Sequence, residues 1–484
     1  MAKNKQKISK DNKLGTAKIG KLLVEFSVPA VAGMVLTSFY NLIDTAFLGQ
    51  AFPDGSGVAV TTLALPIMLL LIGFTMLPGQ GGNALAAILL GEGDHKRVEQ
   101  CLGNSFILLI IFSGIIALIG YFGIDFILLI IGTREELWEG TKIFVQIQCY
   151  GFFLLAVGMG MNNFIRTAGA PKIALLTNVV SVIVCIILNW LFVLELNMGV
   201  GGSGLATILG QGAGAILVFC YFVFSKKSAF KLKISGLVPD AKLMGRILLM
   251  GLASFAMNLA STIICIVFNW VVGYYGALSS LGAQGALASI GVSQKVATFA
   301  FMPLIGVAMG AQPIIGYNYG AQNWARVIRA LRLSVTTGVA IGTFFLIVCY
   351  LFPHQIVQLF GIVGDLEEFS ATTLMVYITF FPLVGFHAVG GTYFQSSGQP
   401  IKSAILELTR QVIFLIPMYL IVPELLLSLG VIQDGLIAVI LCPPAADFFS
   451  SLLTICFVVI EGRKLKVKAK KQKEDWMKKN LGKC

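Results

Sequence analysis

The chain has 484 residues, of which 57% are hydrophobic and only 12% are charged, and its mean hydropathy is +0.87. An ordinary soluble protein is about 25% charged, so a water-soluble fold could not bury this much apolar surface. The net charge of +12 does not indicate a nucleic-acid partner, because nearly half of the Lys and Arg residues lie in the two terminal tails. The composition therefore predicts an integral membrane protein.

The nine cysteines predict neither a disulfide framework nor a metal site, since most fall within apolar runs and none has C-x-x-C spacing. The sequence also lacks a Walker motif, a nucleophile elbow and a pair of catalytic carboxylates. We therefore expect neither an enzyme nor an ATP-driven pump, and we expect no cofactor.

Twelve stretches of the chain are long enough to cross a bilayer, which requires about 20 apolar residues in a helix. The stretches are continuously apolar rather than alternating, which favours helices over barrel strands. The predicted spans cover residues 22–48, 58–84, 101–120, 140–164, 172–194 and 203–224, followed by 247–273, 284–314, 331–352, 370–393, 401–422 and 435–460. The predicted fold is thus an all-α membrane protein of twelve transmembrane helices.

The distribution of basic residues predicts the orientation of these spans. With both termini in the cytoplasm, the basic tails 1–21 and 461–484 and the linker 225–246 lie on the same side as nearly all other Lys and Arg. The opposite loops hold only Arg134 and Lys142 among the basic residues, together with many carboxylates. We therefore expect a multi-pass protein with both termini cytoplasmic.

The chain contains an internal repeat of six spans. At an offset of 229 residues, the Gly-x-Pro motif 169–171 aligns with 398–400. Because six is an even number, both halves enter the membrane in the same direction, and an axis along the membrane normal relates them. We expect an N-terminal lobe over 22–224 and a C-terminal lobe over 247–460, with the substrate site at the seam between them.

Five short segments follow one another in a characteristic order along the spans. They are Phe26-Ser-Val-Pro29, Asp44-Thr-Ala-Phe-Leu-Gly49, Arg166-Thr-Ala-Gly169-Ala-Pro171, Tyr319-Gly-Ala-Gln-Asn-Trp-Ala-Arg326 and Gln395-Ser-Ser-Gly398-Gln-Pro400. In this order, residues 18–460 resemble the multidrug and toxic compound extrusion (MATE) transporters, particularly their bacterial proton-coupled branch. The resemblance implies a bacterial plasma-membrane exporter of amphipathic, often cationic, drugs or dyes. It also implies alternating access and antiport against protons or sodium, without ATP hydrolysis.

A polar stripe in the first span contains the main candidate for ion coupling. Its members, which recur at helical spacing on one face, are Thr37, Tyr40, Asn41 and Asp44. An intramembrane carboxylate is a functional candidate by default, and family members have a proton or cation site at the position matching Asp44. The alternative is that Asp44 caps the outer end of the helix. Pro29 predicts a hinge in the same helix, although an ordinary packing kink fits equally well.

Neutral polar residues on other spans of the N-terminal lobe are candidates to complete this pocket. On the fifth span, Ser181 and Cys185 share a face with two amides, and some relatives carry an Asn and an Asp where Cys185 and Asn189 align here. Asp44 would then carry the coupling charge alone. The predicted pocket includes Asn162, Asn163, Asn178, Asn189 and Gln211, although bonds between helices explain several of these residues as well.

The C-terminal lobe has charges of its own within the predicted spans. They are Lys295, Glu407, Arg410 and Asp447, and they sum to zero. Helical spacing favours pairing of Glu407 with Arg410, which leaves Lys295 for Asp447, whereas a role for Lys295 in coupling or substrate repulsion is the alternative. His387 is the only histidine within a span, and its ordinary pKa of about 6.5 suits either a proton relay or a hydrogen bond within the bundle.

A flippase for lipid-linked oligosaccharides shares this repeat architecture and is the alternative function. Such proteins commonly line their cavity with Arg or Lys to bind pyrophosphate, whereas the spans here hold few cations. A channel or structural protein has no reason to combine a two-lobed repeat with intramembrane carboxylates. The sequence therefore predicts a monomeric exporter whose partners are small molecules and membrane lipid, with H+ or Na+ as the coupling ion.

Overall fold

The computed structural model describes residues 13–52, 56–131, 133, 135–225, 228–279, 281–360, 362 and 364–481. Within these ranges the chain is helical and contains no strand. Ten helices are long and apolar enough to cross a membrane, and two bent helix pairs raise this number to twelve. The predicted all-α fold with twelve spans is confirmed.

The described residues of the first half of the chain form ten α-helices. They are α1 (Lys13–Thr16), α2 (Ile19–Ala51), α3 (Ser56–Glu92), α4 (His95–Phe122), α5 (Ile124–Ile131), α6 (Glu135–Tyr150), α7 (Phe152–Leu155), α8 (Asn162–Thr167), α9 (Pro171–Asn189) and α10 (Gly199–Phe224). Wider π-helical turns occupy Ala156–Gly160, between α7 and α8, and Trp190–Glu195, directly after α9. A 3-10 turn, Ile234–Gly236, lies in the linker.

Nine α-helices are formed by those residues of the second half that the structure describes. They are α11 (Ala241–Leu278), α12 (Gly282–Gly320), α13 (Trp324–Leu351), α14 (Pro353–Leu359), α15 (Asp365–Ile378), α16 (Phe381–Ser396), α17 (Pro400–Leu408), α18 (Ile416–Ser428) and α19 (Gly435–Leu481). A π-helical turn, Thr409–Leu415, joins α17 to α18. The basic tail continues the last span, because α19 extends through residue 481 without a break.

The fourth and tenth predicted spans are each broken into two helices. The chain bends by 55° between α6 and Phe152–Thr167, and by 42° between Leu366–Ile378 and α16. Gly151 occupies the first break, and Pro382 lies at the start of α16, where its missing N–H removes no hydrogen bond from a continuing helix. Both breaks occur at corresponding places in the two repeats.

The repeated Gly-x-Pro motif forms the same turn in both halves. Gly169 and Gly398 adopt the left-handed backbone conformation, with φ angles of 92° and 73°. Pro171 and Pro400 then begin α9 and α17, where a fixed φ and a missing N–H are tolerated. The motif therefore ends one helix and starts the next.

The described chain forms two compact units. The C unit comprises the residues up to Ser27 and those from Ile263 onwards, and the N unit comprises Val28 to Thr262. The units differ from the predicted lobes in one respect, because α2 and α11 are each divided between them. The first part of α2 belongs to the C unit, and the first part of α11 belongs to the N unit.

Two equivalent glycines allow these divided helices to pack closely. In the N unit, a Cβ atom at Gly81 of α3 would lie 2.1 Å from the Ile247 carbonyl oxygen of α11. In the C unit, a Cβ atom at Gly310 of α12 would lie 2.5 Å from Ser27 Oγ and 2.6 Å from Ser27 Cα of α2. The two glycines are separated by the repeat offset of 229 residues. Only glycine permits this approach of the two backbones in either unit.

In the C unit, a short segment that precedes α2 is held by Arg326. The Arg326 Nη2 atom donates to the carbonyl oxygens of Leu14 at 2.9 Å and Ala17 at 2.7 Å. Its Nε atom donates to Asn318 Oδ1 at 2.9 Å, and Asn318 Nδ2 donates to Leu14 O at 3.1 Å. The carbonyl groups at the end of α1 are therefore satisfied by the α12–α13 turn.

In the N unit, the segment that precedes α11 docks on α4 in a similar way. Asn104 donates through Nδ2 to the Val238 carbonyl oxygen at 3.1 Å and accepts from the Asp240 backbone N–H at 2.9 Å. Lys233 forms an ion pair with Glu99 at 2.8 Å. In both units, the chain that leads into a divided helix is therefore fixed by side-chain hydrogen bonds.

Candidate functional site

Asp44 lies on α2 within the N unit, in contact with the start of α10. Its Oδ1 atom accepts a hydrogen bond from Ser203 Oγ at 2.8 Å. Ser203 is fully buried, and it belongs to a glycine-rich turn of α10. Small residues around Ser203 let this helix approach its neighbours closely, so the hydroxyl reaches the carboxylate directly.

Asn189 is the second polar neighbour of this carboxylate. It is the last residue of α9, only 1% of it is exposed, and its side chain lies near the Asp44 carboxylate. Its Nδ2 atom also donates to the Cys185 carbonyl oxygen at 3.2 Å. Its Oδ1 atom is buried and accepts no hydrogen bond from the described residues. In the described part of the chain, the polar neighbours of Asp44 are therefore uncharged, and one of them has a spare acceptor.

Other predicted residues of the fifth span lie against neighbouring helices. Asn178 faces Gly33 of α2, because a Cβ atom at that glycine would lie 2.9 Å from Asn178 Nδ2. Ser181 and Cys185 pack against α10, where a Cβ atom at Gly214 would lie 2.1 Å from Ser181 Oγ. The face predicted from spacing thus contacts α2 through its amides and α10 through its smaller residues.

The remaining predicted pocket residues make local or interhelical contacts. Thr37 donates to the Gly33 carbonyl oxygen of its own helix at 2.9 Å, and Gln211 of α10 packs beside Gly158. The side chains of Tyr40 and Asn41 lie outside the described part of the chain. The polar stripe of α2 is therefore described only at Thr37 and Asp44.

Asn162 and Asn163 make hydrogen bonds at the end of the broken fourth span. Asn162 Nδ2 donates to the Ala174 carbonyl oxygen at 2.9 Å and to Thr177 Oγ1 at 2.5 Å, which ties α8 to α9. Asn163 Oδ1 accepts a hydrogen bond from buried Arg166 at 2.6 Å. For these two residues the structure gives the interhelical and local bonds that the sequence left as an alternative, rather than a contact with Asp44.

The charged residues of the C unit pair differently from the sequence-based expectation. Arg410 Nε lies 2.5 Å from Asp447 Oδ1, so Asp447 is not the partner of Lys295, and Lys295 is exposed. The predicted pairing of Lys295 with Asp447 is therefore wrong. The ion pair of Arg410 is with Asp447, while Glu407 interacts with Arg410 only electrostatically. Arg410 lies in the π-helical turn Thr409–Leu415, so the α-helical spacing used for the prediction does not apply there.

Glu407 instead lies near His387, in the interior of the C unit. The distance between Glu407 Oε2 and His387 Nε2 is 4.0 Å, and the histidine side chain is 3% exposed. On its other side, His387 Nδ1 lies 2.8 Å from Thr454 Oγ1 of α19. One cluster therefore joins α16, α17 and α19.

Ser203 was not identified from the sequence, although it makes the shortest described contact with Asp44. A sequence signal was available, because Ser203 is the one hydroxyl among the closely spaced glycines that open the sixth span. A helix start of this composition permits close packing, but it does not reveal which helix approaches. Among the described residues, no group of three or more His, Cys, Asp or Glu residues could hold a metal ion.

Comparison with known proteins gives consistent relatives over nearly the whole chain. A family model described as MatE matches residues 29–191 and 253–420. The "Multidrug export protein MepA" of Staphylococcus saprophyticus is 25% identical over 437 residues, which are 90% of this chain and 94% of the relative.

Solved structures agree with this match. A structure of the MATE multidrug transporter DinF-BH is 28% identical, with a TM-score of 0.82, and the alignment covers 91% of this chain and 95% of that one. A crystal structure of MATE in complex with MaL6 has a TM-score of 0.85 at 20% identity, covering 94% and 98% of the two chains, and it supports the fold alone. Because the family model matches more than half of the sequence, the chain belongs to the MATE family of multi-pass membrane transporters.

Proposed function

We propose that this protein is a secondary active exporter of amphipathic, often cationic, compounds in a bacterial plasma membrane, with both termini in the cytoplasm. Export proceeds by antiport against protons and by alternating access. Support comes from the family match and from the relative named as a multidrug export protein. The DinF-BH structure, which is a complex with a dye, adds support for small-molecule substrates.

The observation that carries the proposal is that the polar neighbours of Asp44 among the described residues carry no charge. Its contacts, Ser203 and Asn189, are uncharged. An ionised carboxylate within a membrane is costly unless a cation compensates its charge. Either a proton or a cationic substrate removes this cost, and the two exclude each other at a single carboxylate. Competition of this kind couples inward movement of a proton to outward movement of a drug.

The neighbours of Asp44 suit both of its protonation states. The Ser203 hydroxyl donates to the ionised carboxylate, as it does in the structure. A protonated carboxyl group needs an acceptor instead, and the buried Oδ1 atom of Asn189 is free among the described residues. The proton can therefore be held without a further charged group, which favours proton coupling over a sodium site built from several carboxylates.

Pro29 is the proposed bending point of α2 during alternating access. Proline donates no backbone hydrogen bond, so the Glu25 carbonyl group lacks its helical partner and the helix bends there at lower cost. The division of the chain between the two compact units falls two residues earlier, between Ser27 and Val28. A hinge at this position would let each part of α2 move with its own unit.

The decisive experiment is dye export from proteoliposomes driven by an imposed pH gradient. We expect Asp44→Asn to reduce gradient-driven transport to background, because the amide cannot exchange a proton. Full transport by this variant would exclude the proton role of Asp44. If transport by the wild type depends on a sodium gradient and not on the pH gradient, the coupling ion is sodium instead of the proton.

A matched control separates this role from general effects of removing a carboxylate. Asp125 is an exposed aspartate that forms an ion pair with Lys142 at 2.7 Å. Asp125→Asn should retain wild-type transport, because exposed ion pairs contribute little. Uptake of a cationic dye by everted vesicles tests the flippase alternative, since a dedicated lipid flippase would not accumulate dye.

A further inference from the structure

We propose that His387 and Glu407 together form a second proton-binding site, which lies wholly within the C unit and holds one proton between Nε2 and Oε2. This site goes beyond the proposed role of Asp44, which belongs to the N unit. The first step of the argument is the hydrogen-bonding state of the His387 ring.

We assign the tautomer of His387 from its contact with the Thr454 hydroxyl. In the proposed site, this hydroxyl donates its proton to the Ser450 carbonyl oxygen, 3.0 Å away, so that Thr454 Oγ1 accepts a hydrogen bond from His387 Nδ1 at 2.8 Å. The Nδ1 atom therefore carries a hydrogen, and in the neutral ring Nε2 is an unprotonated acceptor. Among the described residues, this buried Nε2 atom has no hydrogen-bond partner.

A buried acceptor without a donor is costly, and the nearest titratable group is another acceptor. Glu407 Oε2 lies 4.0 Å from His387 Nε2. One added proton converts this pair of acceptors into a donor and an acceptor, whichever of the two atoms carries it. A small approach of the two side chains would then form a hydrogen bond between them.

The net charge of the cluster of His387, Glu407, Arg410 and Asp447 also favours the uptake of one proton. Arg410 and Asp447 neutralise each other through their ion pair, and Arg410 also acts electrostatically on both Glu407 and His387. Glu407 is then left as an excess negative charge next to a neutral histidine, in a part of the chain that spans the membrane. Binding of one proton brings the cluster to zero net charge, which is the favourable state in a medium of low dielectric constant.

The other described groups around His387 and Glu407 do not change this net charge. Tyr377 of α15 and Tyr419 of α18 lie beside the Arg410–Asp447 pair, and both phenols are neutral near physiological pH. Helix α13 approaches α16 through Gly338, which brings no charge. A Cβ atom at Gly391 of α16 would lie 2.5 Å from Glu407 Oε1, so this glycine makes room for the carboxylate.

The test is solid-state NMR of the full-length protein in liposomes, with 15N-labelled histidine. The chain has three histidines, and the double variant His95→Gln/His354→Gln leaves His387 as the sole reporter. We expect the neutral ring to be protonated at Nδ1 in alkaline buffer. Between about pH 9 and pH 5, Nε2 should respond to the uptake of one proton. This response should be lost in Glu407→Gln.

Controls distinguish the pair from its surroundings and from the Asp44 site. Glu461 is a buried glutamate of α19 that lies 3.7 Å from Lys402, and Glu461→Gln should leave the His387 response unchanged. Asp44→Asn should also leave it unchanged, so this test stands whether or not Asp44 couples transport. An Nε2-protonated ring in alkaline buffer, an Nε2 signal that ignores pH, or a response that persists in Glu407→Gln would each overturn the proposal.

Discussion

Ser203 Oγ donates a hydrogen bond to Asp44 Oδ1 at 2.8 Å, so the first and sixth spans of the N unit meet at an acid. This bond stabilises the ionised form of Asp44. Ser203→Ala removes it, and we expect the pH profile of gradient-driven transport to move to higher pH by about one unit. The estimate follows because a hydrogen bond to a charged group contributes about 1.5 kcal/mol and one pH unit corresponds to about 1.4 kcal/mol.

A suitable control for Ser203→Ala is Ser113→Ala, which removes a hydroxyl that donates only to the Leu109 carbonyl oxygen of its own helix. The control should keep the wild-type pH profile. An unchanged profile in Ser203→Ala would mean that the hydroxyl does not act on the protonation of Asp44.

Asn189→Asp tests whether the lack of a second carboxylate sets the ion preference. Asn189 is 1% exposed and lies near the Asp44 carboxylate. Two carboxylates at this distance repel each other, so they require a shared proton or a bound cation. We expect Na+ to raise the melting temperature of Asn189→Asp but not that of the wild type, with choline chloride as the ionic-strength control. Equal melting temperatures in the two salts would contradict this expectation.

The sequence predicted the helices well because each span satisfies its backbone hydrogen bonds internally. The length of an apolar run is therefore enough to identify a span. The breaks in the fourth and tenth spans were not predicted, since Gly151 and Pro382 occur within runs that remain apolar on both sides. Asp44 and Asn189 were selected as polar residues on helical faces. Ser203 was not predicted as a site residue, because its role depends on which helix α10 approaches.

The tertiary features that the sequence did not predict share one physical cause. The pairing of Arg410 with Asp447 depends on a π-helical turn, which changes the register of side chains without a mark in the hydrophobic pattern. The contact of Gly310 with Ser27 joins residues that are far apart in the chain. Periodicity reports which face of a helix is apolar, and it does not report which helix covers that face.

Gly310→Ala should destabilise the C unit. Its added methyl group would lie 2.5 Å from Ser27 Oγ and 2.6 Å from Ser27 Cα, which forces the backbones of α2 and α12 apart. Overpacking of this kind costs about 1–3 kcal/mol. Thermal unfolding in detergent measures the effect as a lower melting temperature. Gly291→Ala in the same helix is the matched control, because its Cβ atom would meet nothing within 4 Å, and it should be neutral or stabilising.

Arg326→Ala should release the segment that precedes α2. Arg326 provides hydrogen bonds to Leu14, Ala17 and Asn318, and these are lost together. We expect trypsin to cleave after Lys13 and Lys18 several-fold faster in the variant, because local opening controls access of the protease. Arg329→Ala removes an exposed arginine one turn away and should leave cleavage unchanged. Equal rates for the wild type and Arg326→Ala would show that other contacts hold the segment.

The Arg410–Asp447 ion pair gives the last prediction, which concerns stability rather than coupling. Asp447 is 4% exposed, and Arg410 lies 2.5 Å from it. Arg410→Met leaves the buried carboxylate without its cation, which costs about 3–5 kcal/mol for a buried pair. Arg410→Met/Asp447→Leu removes both charges and should recover most of this loss, because apolar residues in place of a buried pair are often tolerated. The measurement is the melting temperature of each variant, which should be higher for the double variant than for Arg410→Met. A double variant no more stable than Arg410→Met would mean that these side chains are required for contacts other than their mutual ion pair.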